Sequence, residues 1–510
     1  MRAILTYSGI ILAAMCLSCK KAPSKALAMN TTIVETELGA RVDSVLTPYL
    51  ENLRTTTDNN AALAVGITKG DKIIYARTFG YANIEKGLKA DLNTVFHIAS
   101  VSKPFTAAAV VKLIQQGKLK LDDKIIDIVP EFKMKGDNYK NITVKQILTH
   151  TSGIPRHVTV DDWNNPVYGP TAPLKNLNHA RDFELDFEPG SKFNYSNSGI
   201  DILGIVISRA SGMTFEDYVK KHILLPAGMT QTHYLKPKDS LPTNWAEAYS
   251  YGLETEKWSP FPYTENCFPS GGVHASLTDM CKWGMMHVGK GSFNDYNVLD
   301  KEHFELMVIP HSDTPWGDKI GLSWFLQSYL DKPIIMHTGS DSGFEAIMYV
   351  YPEEDISIIV MANRDYGRTG RVVNAASEAV FDKELKAYEV SAIYSFAKTY
   401  KKHGINAAKE HWESLKKDTT DAMYVSNNHL LSTGAVLGIN KKWKESKEIL
   451  EYYLTFDQNS TFAWRLLGNS NLNLGDTLKA KACYEKTLQI NPNYEKGKLA
   501  LEDLLSTLEH

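Results

Sequence analysis

Three short motifs carry residue types that suit nucleophilic chemistry. In chain order they are Ser100-Val101-Ser102-Lys103, Tyr195-Ser196-Asn197 and His337-Thr338-Gly339. A serine and a lysine three residues apart lie on one face of a helix, so the ammonium can approach the hydroxyl. A hydroxyl is a weak nucleophile at neutral pH and needs a basic neighbour to take its proton. Together the three motifs predict an activated serine nucleophile.

The Ser-x-x-Lys spacing alone is weak evidence, because it recurs at Ser18/Lys21, Ser395/Lys398 and Ser414/Lys417. Ser100 differs from these serines in its setting. The apolar run 95–99 precedes it, and an amphipathic helix is predicted to follow, with Pro104 in its first turn and Gly117 at its end. Backbone N–H groups at a helix start are unpaired and can hold a developing oxyanion.

Three further segments add to the three motifs. They are residues 142–155, which contain Thr149-His150-Thr151-Ser152-Gly153, residues 269–273 and residues 360–364. With the three motifs, they make the sequence resemble the penicillin-recognising serine hydrolases. This family includes class C β-lactamases, D-alanyl-D-alanine carboxypeptidases, D-aminopeptidases and some carboxylesterases, and the resemblance covers residues 35–385.

The resemblance implies an α+β fold of the β-lactamase/transpeptidase type. Its antiparallel five-stranded sheet is flanked by helices, a helical subdomain is inserted in the middle, and the active site lies between the two lobes. Hydrophobic patterning predicts strands at 61–69, 72–81, 334–338, 344–351 and 356–362. It predicts helices at 34–53, after Tyr195 and at 277–288.

The resemblance also implies roles for the residues of the first two motifs. Ser100 resembles the nucleophile that becomes acylated, Lys103 its activating partner, and Tyr195 the general base and leaving-group acid. Asn197 is expected to orient the substrate amide. An unperturbed tyrosine titrates near pH 10, so Tyr195 can act as a base only if cations such as Lys103 stabilise its phenolate.

The third motif is expected to bind substrate. Small Thr338 and Gly339 let the strand approach it closely, and Ser340 resembles the family's second oxyanion N–H donor, beside that of Ser100. His337 departs from the Lys-Thr-Gly pattern of many β-lactamases and penicillin-binding proteins. A histidine is half charged only near pH 6.5 and pairs weakly with a substrate carboxylate. Some carboxypeptidases and aminopeptidases of the family carry His-Thr-Gly, so the motif predicts catalysis but poor β-lactamase activity.

Each motif taken alone also has an ordinary structural explanation. Ser100 could be a helix N-cap, the Tyr195 segment a turn after Gly190, and residues 337–339 a strand end. Their conjunction favours the catalytic interpretation. No metal or other cofactor is predicted, because no His-Glu-x-x-His or paired-cysteine pattern occurs. The following histidines are interpreted as structural or surface residues: His150, His157, His274 and His311.

Length and composition indicate a globular enzyme with an added module. The chain has 510 residues, of which 43% are hydrophobic and 23% charged, as in soluble folded proteins. A net charge of −3 without a basic patch or Gly-rich phosphate loop gives nucleic acid partners no support. The predicted domains are a signal peptide with a lipidation motif at 1–19, a tether at 20–33, a serine hydrolase domain at 34–385, and a tetratricopeptide-like helical domain at 386–510.

The N-terminal segment predicts export. An apolar stretch at 3–17 is too short for a membrane span but suits a signal peptide. Residues 16–19 resemble a bacterial lipoprotein signal in which Cys19 is lipidated. A lipid there would anchor the protein to a membrane of the bacterial cell envelope, in the periplasm or on the outer membrane. The alternative is simple cleavage near Ala22 or Ala28.

The C-terminal part predicts helical repeats. Six residues fall at the positions of the 34-residue tetratricopeptide pattern: Trp464, Leu467, Gly468, Ala480, Tyr484 and Pro492. One period earlier, Gly434, Ser446 and Leu450 keep the same small and apolar character, and a degenerate helix pair is predicted at 392–415. Such repeats commonly bind a protein or peptide partner. The alternative is that this part packs on the hydrolase domain or mediates dimerisation.

The sequence as a whole predicts an exported serine hydrolase that forms an acyl-enzyme at Ser100. The substrates expected are small-molecule or peptide amides, including peptides ending in D-amino acids, or esters. A carboxylesterase or D-aminopeptidase of the same fold is the alternative within the enzyme class. A catalytically inactive scaffold that binds a partner through its helical repeats is the alternative from another class.

Overall fold

The computed structural model describes residues 31–57, 59–157, 166–169, 171–234, 244–258, 261, 264–365, 367–418 and 423–508. The predicted signal segment with Cys19 and most of the predicted tether lie outside these residues. The last residues of the tether do not: Thr32–Val34 already form a strand. Among the described helices, none is both long and apolar enough to cross a bilayer.

The helices are α1 Thr36–Thr56, α2 Lys103–Gln115, α3 Ile125–Ile128, α4 Val144–Leu148, α5 Ala172–Ala180, α6 Asn197–Ser211, α7 Phe215–Val219, α8 Phe268–Gly271, α9 Leu277–Val288, α10 Lys301–Val308, α11 Thr369–Val380, α12 Ala392–Lys417, α13 Asn427–Ile439, α14 Trp443–Tyr453, α15 Thr461–Asn473, α16 Thr477–Ile490 and α17 Glu495–Leu508. Short 3₁₀ turns occur at Ala99–Ser102, Asn138–Asn141 and Glu265–Cys267, and a π-helical turn at Lys220–Leu224.

The strands are β1 Thr32–Val34, β2 Leu63–Lys69, β3 Lys72–Phe79, β4 Tyr81–Asn83, β5 Leu88–Lys89, β6 Val95–His97, β7 Thr232–His233, β8 Tyr249–Tyr251, β9 Thr255–Lys257, β10 His274–Ser276, β11 Ser292–Phe293, β12 Tyr296–Asn297, β13 Ser312–Asp313, β14 Lys319–Ile320, β15 Phe325–Tyr329, β16 Lys332–Asp341, β17 Phe344–Tyr351, β18 Ile356–Ala362, β19 Val390–Ser391 and β20 Met423–Tyr424.

The main sheet is antiparallel and has the order β1-β3-β2-β18-β17-β16-β15-β14-β13. The five strands predicted from the sequence are confirmed as β2, β3, β16, β17 and β18, which lie side by side in its centre. Gly70, with φ of 58°, makes the predicted turn between β2 and β3. The sheet is larger than predicted, because β1 extends one side and the short strands β15, β14 and β13 extend the other.

Helices cover both faces of this sheet, so its central strands are buried on both sides. Alternate residues of β2 and β18, such as Val65 and Ile358, pack against α1 and α11. The intervening residues, such as Ile359, join a second core with α2, α6 and α9. The fold is therefore the β-lactamase/transpeptidase type that the sequence predicts.

Helix α2 differs from the amphipathic helix predicted from the sequence. It is buried nearly all round, including the consecutive residues 103–111. The helix lies between α6, α10 and the 3₁₀ turn that precedes it, so little of its surface reaches solvent. The small side chains of residues 107–109 allow this close packing.

The C-terminal helices repeat at a constant interval. Helices α13 and α15 begin 34 residues apart, at Asn427 and Thr461, and so do α14 and α16, at Trp443 and Thr477. Glycines at equivalent positions allow each pair to touch. A Cβ on Gly434 would lie 2.7 Å from Leu450 Cγ, and a Cβ on Gly468 would lie 2.3 Å from Tyr484 Cε1. The assignment of these helices to the tetratricopeptide class stays a prediction.

The helical region shares a hydrophobic cluster with the β8–β9 hairpin. Tyr251 and Leu253 of the hairpin pack with a buried set from the helices that includes Phe396, Trp412 and Leu437. At the edge of this cluster, Arg364 is fully buried. Its guanidinium lies 4.7 Å from the ring centroid of Tyr251 and 5.6 Å from that of Tyr394 in α12, and it donates to the Tyr394 hydroxyl at 3.3 Å.

We predict that the Tyr394→Ala substitution lowers the free energy of unfolding by about 3 kcal/mol. The substitution removes a buried ring and an acceptor for the Arg364 guanidinium, leaving a cavity beside a buried charge. The check is the urea unfolding midpoint. The matched control is Leu478→Ala, which truncates an exposed residue of α16 and should change stability by less than about 0.5 kcal/mol. Equal midpoints for both variants would show that the junction contributes little to stability.

Candidate active site

The predicted nucleophile lies in a tight turn between a strand and a helix. Ser100 belongs to the 3₁₀ turn Ala99–Ser102, which follows β6 and leads directly into α2. The Ser102 hydroxyl donates to the carbonyl of Ala99 at 2.6 Å and accepts from the Val273 N–H at 3.0 Å. Ala99 has a φ of 47°, in the left-handed region that residues other than glycine rarely occupy. The turn leaves Ser100 partly exposed while its neighbours are buried.

Lys103 is fully buried and directed at the nucleophile. Its Nζ lies 3.0 Å from Ser100 Oγ and 2.7 Å from the carbonyl oxygen of Ser270, and it donates to both. A buried ammonium needs such partners, because burial removes the water that would otherwise solvate it. The contact that the Ser-x-x-Lys spacing predicts between Ser100 and Lys103 is present.

The second partner of Lys103 is itself held in place by two helices. The Ser270 N–H donates to the buried Asp201 carboxylate of α6 at 3.0 Å. The Thr106 hydroxyl of α2 donates to the Pro269 carbonyl at 2.7 Å. The sequence analysis singled out residues 269–273 without a role. In the structure they present the carbonyl that orients Lys103.

Two cations lie close to the ring of Tyr195. The Lys103 Nζ is 4.9 Å from the centre of its ring, and the guanidinium carbon of Arg156 is 5.1 Å away. Lys103 therefore contacts both Ser100 and Tyr195, as required of a group that couples a nucleophile to a base.

His150 packs against the ring of Tyr195 and is hydrogen-bonded to the residue that follows it. Its ring centroid lies 4.4 Å from that of Tyr195, and its Nδ1 accepts a hydrogen bond from the Ser196 N–H at 3.2 Å. The Asn194 N–H donates to the His150 carbonyl at 2.8 Å, and the Ser196 hydroxyl donates to the Pro155 carbonyl at 3.0 Å. Both neighbours of Tyr195 are thus bonded to one segment. The sequence analysis interpreted His150 as a structural or surface residue, and in the structure it is buried and lies directly against Tyr195.

Asn197 begins α6 immediately after the tyrosine. Its N–H donates to the Arg156 carbonyl at 3.1 Å. Its side-chain Oδ1 is buried and accepts no hydrogen bond from the residues that the structure describes. A buried acceptor without a partner costs free energy unless a ligand satisfies it. The geometry therefore suits the predicted role of Asn197 in binding a substrate N–H group.

His337 lies on β16 with its ring 6.4 Å from that of Tyr195. It is buried, and its Nδ1 lies 2.7 Å from the Thr338 carbonyl, so Nδ1 carries the proton of the neutral ring. Burial, and then the positive charge of Lys103, lower the pKa of His337 to about 3. A neutral, buried imidazole cannot supply the positive charge that the sequence analysis considered for this position.

The strand that carries His337 has an open edge beside the nucleophile. Strand β15 pairs with β16 only as far as Met336, so residues 337–341 have no partner on that side among the described strands. A Cβ on Gly339 would lie 2.3 Å from the Ile98 carbonyl oxygen and 2.9 Å from the Ser100 nitrogen. Only glycine lets the strand lie this close to the turn that presents the Ser100 N–H.

Thr338 and Ser340 lie on the other side of the strand. Their side chains alternate with the buried His337 and Gly339, and both are exposed. Any contribution of Ser340 to an oxyanion site is therefore through its backbone N–H, as the family resemblance implies.

A polar contact fixes the end of this strand. The Asp341 carboxylate accepts a hydrogen bond from His97 Nε2 at 3.2 Å, and His97 ends β6 just before the nucleophile turn. Gly339 packs closely against the turn that contains Ser100, and the His97–Asp341 contact holds the end of β16 beside the same turn.

The structure thus places the side chains of Ser100, Lys103, Tyr195, Asn197 and His337 around one site, with Gly339 against the nucleophile turn. The side chains of Thr338 and Ser340 lie on the other side of β16, and Cys19 lies outside the described residues. Four residues that the motifs did not indicate also contribute to the site: Arg156, Asp201, His97 and Asp341. Arg156 directly follows the segment 142–155 that the resemblance included, which was the available signal. His97 lies in the run 95–99 before the nucleophile, but its contact with Asp341, 244 positions away, follows only from the fold. Asp201 and Asp341 carry no sequence signal, because their partners are distant in the chain.

Burial also keeps a histidine outside the site neutral. His287 of α9 is buried against Trp283 and Trp324, and burial lowers its pKa to about 4. Between pH 6.5 and 4 the unfolded chain therefore binds a proton at this position that the folded chain does not. This contribution to stability is fully present above pH 6.5 and is lost as the pH falls towards 4.

We predict that His287→Gln reduces the loss of stability in acid. Between pH 6.5 and 4 the variant should lose up to about 1.4 kcal/mol less unfolding free energy per pH unit than the wild type. Urea unfolding at pH 7, 6 and 5 measures the difference. His403→Gln, at an exposed position of α12, should retain the wild-type slope. Parallel slopes for wild type and His287→Gln would contradict the burial argument.

Known proteins resemble this chain in sequence. Protein flp of Staphylococcus aureus (strain NCTC 8325 / PS 47) is 30% identical over 305 residues, which cover 58% of this chain and 58% of that protein. Penicillin-binding protein 4* of Bacillus subtilis (strain 168) is 27% identical over 358 residues, which cover 64% of this chain and 76% of that protein. The chain thus spans about 58% of the length of its flp relatives.

The fold has known counterparts as well. The octameric penicillin-binding protein homologue from Pyrococcus abyssi is similar with a TM-score of 0.59 and 26% sequence identity, over 70% of this chain and 82% of that chain. Residues 45–382, which include β2 to β18 and every element around Ser100, match the family model described as beta-lactamase. The chain therefore belongs to the beta-lactamase family, whose members are typically serine hydrolases.

Proposed function

We propose that this protein hydrolyses amide or ester substrates through an acyl-enzyme formed at Ser100. The observation that carries the proposal is the buried Lys103 ammonium, 3.0 Å from Ser100 Oγ and next to the Tyr195 ring. A chain used only as a scaffold would gain nothing from a buried lysine directed at a partly exposed serine. The proposed roles of the site residues follow from their positions.

Acylation begins with loss of the Ser100 proton. Tyr195, as a phenolate stabilised by Lys103 and Arg156, accepts that proton, and Ser100 Oγ attacks the substrate carbonyl carbon. The new bond pushes an electron pair onto the carbonyl oxygen. The backbone N–H groups of Ser100 and Ser340 hold this oxyanion on the open edge of β16.

Collapse of the tetrahedral intermediate completes the transfer. The carbon–nitrogen or carbon–oxygen bond to the leaving group breaks, and Tyr195 returns its proton to the leaving amine or alcohol. Asn197 binds the amide of the substrate through its buried Oδ1. Water then attacks the acyl group by the same steps in reverse, which releases the acid and restores the Ser100 hydroxyl.

The neutral, buried ring of His337 favours a second candidate function that uses the same acyl-enzyme chemistry. A buried, neutral histidine provides no charge for a substrate carboxylate at this position, so uncharged acyl groups are admitted. This observation supports a carboxylesterase beside an enzyme for peptides that end in D-amino acids, or a D-aminopeptidase.

The test of the proposal is covalent labelling with a serine-reactive alkyl phosphonate. We expect one label on the wild type and none on Ser100→Ala. Ser395→Ala is the matched control, because Ser395 has the same spacing to a lysine but lies in α12, bonded to His411. Labelling that is absent from the wild type, or retained in Ser100→Ala, would favour the scaffold alternative.

We also propose that the protein is exported and anchored by a lipid on Cys19. The support is the sequence of residues 1–19 described above. Metabolic labelling with a palmitate analogue in a bacterial host should modify the wild type but not Cys19→Ala. Labelling of neither protein, with cleavage found near Ala22 or Ala28, would identify a simple signal peptide.

A further inference from the structure

We propose that Arg156 is the residue that recognises a carboxylate on the substrate, beside Tyr195. This inference rests on the proposed function of the site and deepens it, because it names a substrate class. The substrates would be amides or esters that carry a carboxylate near the bond to be cleaved.

Neither His337 nor Lys103 is placed to bind an anion on the substrate. His337 is neutral, for the reasons given above. Lys103 is fully buried and donates to Ser100 and Ser270, so it cannot also reach an exposed anion. Among the described residues, Arg156 is a second cation next to Tyr195 and is exposed to solvent, with its guanidinium carbon 5.1 Å from the tyrosine ring centroid.

The backbone of Arg156 is held in place. Its carbonyl accepts hydrogen bonds from the N–H groups of Asn197 and Ser198, the first two residues of α6, at 3.1 and 3.3 Å. The same arginine is thus tied to the residue proposed to bind the substrate amide. The backbone of Arg156 thus lies beside Asn197, and its guanidinium lies near the Tyr195 ring.

The chemistry of the side chain suits a carboxylate. A guanidinium is always charged and presents parallel N–H donors that match the two oxygens of a carboxylate. No ion pair joins Arg156 to a carboxylate of the described residues. Its charge nevertheless acts on the site, since it helps to lower the pKa values of His150 and His157.

The experiment compares two aryl esters with the same acyl group, one with a phenyl and the other with a 3-carboxyphenyl leaving group, at fixed ionic strength. The measured quantity is the ratio of kcat/KM for the charged ester to kcat/KM for the neutral ester. We expect Arg156→Ala to lower this ratio by about tenfold to a hundredfold, the loss typical of a charge-assisted hydrogen bond. Arg156→Lys should retain part of the ratio.

Arg209→Ala is the charge-matched control. Arg209 lies near the other end of α6 and pairs with Glu131, so its loss should leave the ratio unchanged. If both esters slow equally in Arg156→Ala, the arginine acts only on Tyr195 and the inference is overturned. An unchanged ratio with unchanged rates overturns it as well. If the wild type hydrolyses neither ester in a manner that depends on Ser100, the proposed function itself fails.

Discussion

Lys103→Met should reduce kcat for ester hydrolysis by at least about a thousandfold. The substitution replaces a buried ammonium by an apolar side chain of similar length. It removes the hydrogen bond to Ser100 Oγ and one of the two charges next to the Tyr195 ring. Loss of a positioned acid–base group commonly costs 10²–10⁴ in rate, and here it would disable the nucleophile and the base together.

Lys112→Met is the matched control for this prediction. Lys112 lies in the same helix, and its Nζ donates to the Val298 carbonyl at 2.7 Å, away from Ser100. Both substitutions therefore remove a lysine bound to a backbone carbonyl, but only one removes a contact to the nucleophile. Steady-state kinetics and thermal unfolding of both variants separate catalysis from folding. A folded Lys103→Met enzyme within tenfold of wild type would contradict the assignment.

Gly339→Ala should reduce kcat/KM by about a hundredfold or more. A Cβ at this position would lie 2.3 Å from the Ile98 carbonyl oxygen and 2.9 Å from the Ser100 nitrogen. These atoms belong to backbone that cannot move aside as a flexible side chain can. Either the strand or the nucleophile turn must shift, and a displacement of about 1 Å in a catalytic geometry can cost about a hundredfold in rate.

The control is Gly370→Ala in α11, where the added Cβ would meet no atom within 4 Å beyond its own chain neighbours and the backbone of its helix. Alanine there should leave the activity unchanged and can raise stability slightly, since alanine favours a helix over glycine. A Gly339→Ala enzyme with wild-type kinetics would show that the close approach of β16 to the nucleophile turn is not needed.

The central part of the fold could be predicted from the sequence because its strands are long and strongly patterned. Patterned runs of five to ten residues predicted β2, β3, β16, β17 and β18, and a helix was predicted around the residues that form α9. The outer strands β13 and β14 have two residues each, too few to show an alternation. The number of strands in the sheet could therefore not be predicted from the sequence.

In the site, spacing predicted the contact between Ser100 and Lys103, because it lies within one helical turn. The contact of Lys103 with the Ser270 carbonyl joins residues 167 positions apart and follows only from the fold. The charge of His337 could not be predicted either. The pKa of His337 depends on its complete burial and on the neighbouring Lys103. Neither the burial nor the neighbour can be read from the His-Thr-Gly motif.

The most direct test of the account is intact-mass spectrometry of acid-quenched reactions with a penicillin and with an aryl ester, for wild type and Ser100→Ala. The account predicts that at least one substrate adds the mass of its acyl group to the wild type alone, and that peptide mapping locates the group on Ser100. A persistent penicillin adduct would indicate a penicillin-binding peptidase, a transient one a lactamase, and an adduct with the ester alone an esterase or aminopeptidase. Turnover without an adduct, or an adduct that survives in Ser100→Ala, would contradict an acyl-enzyme at this serine.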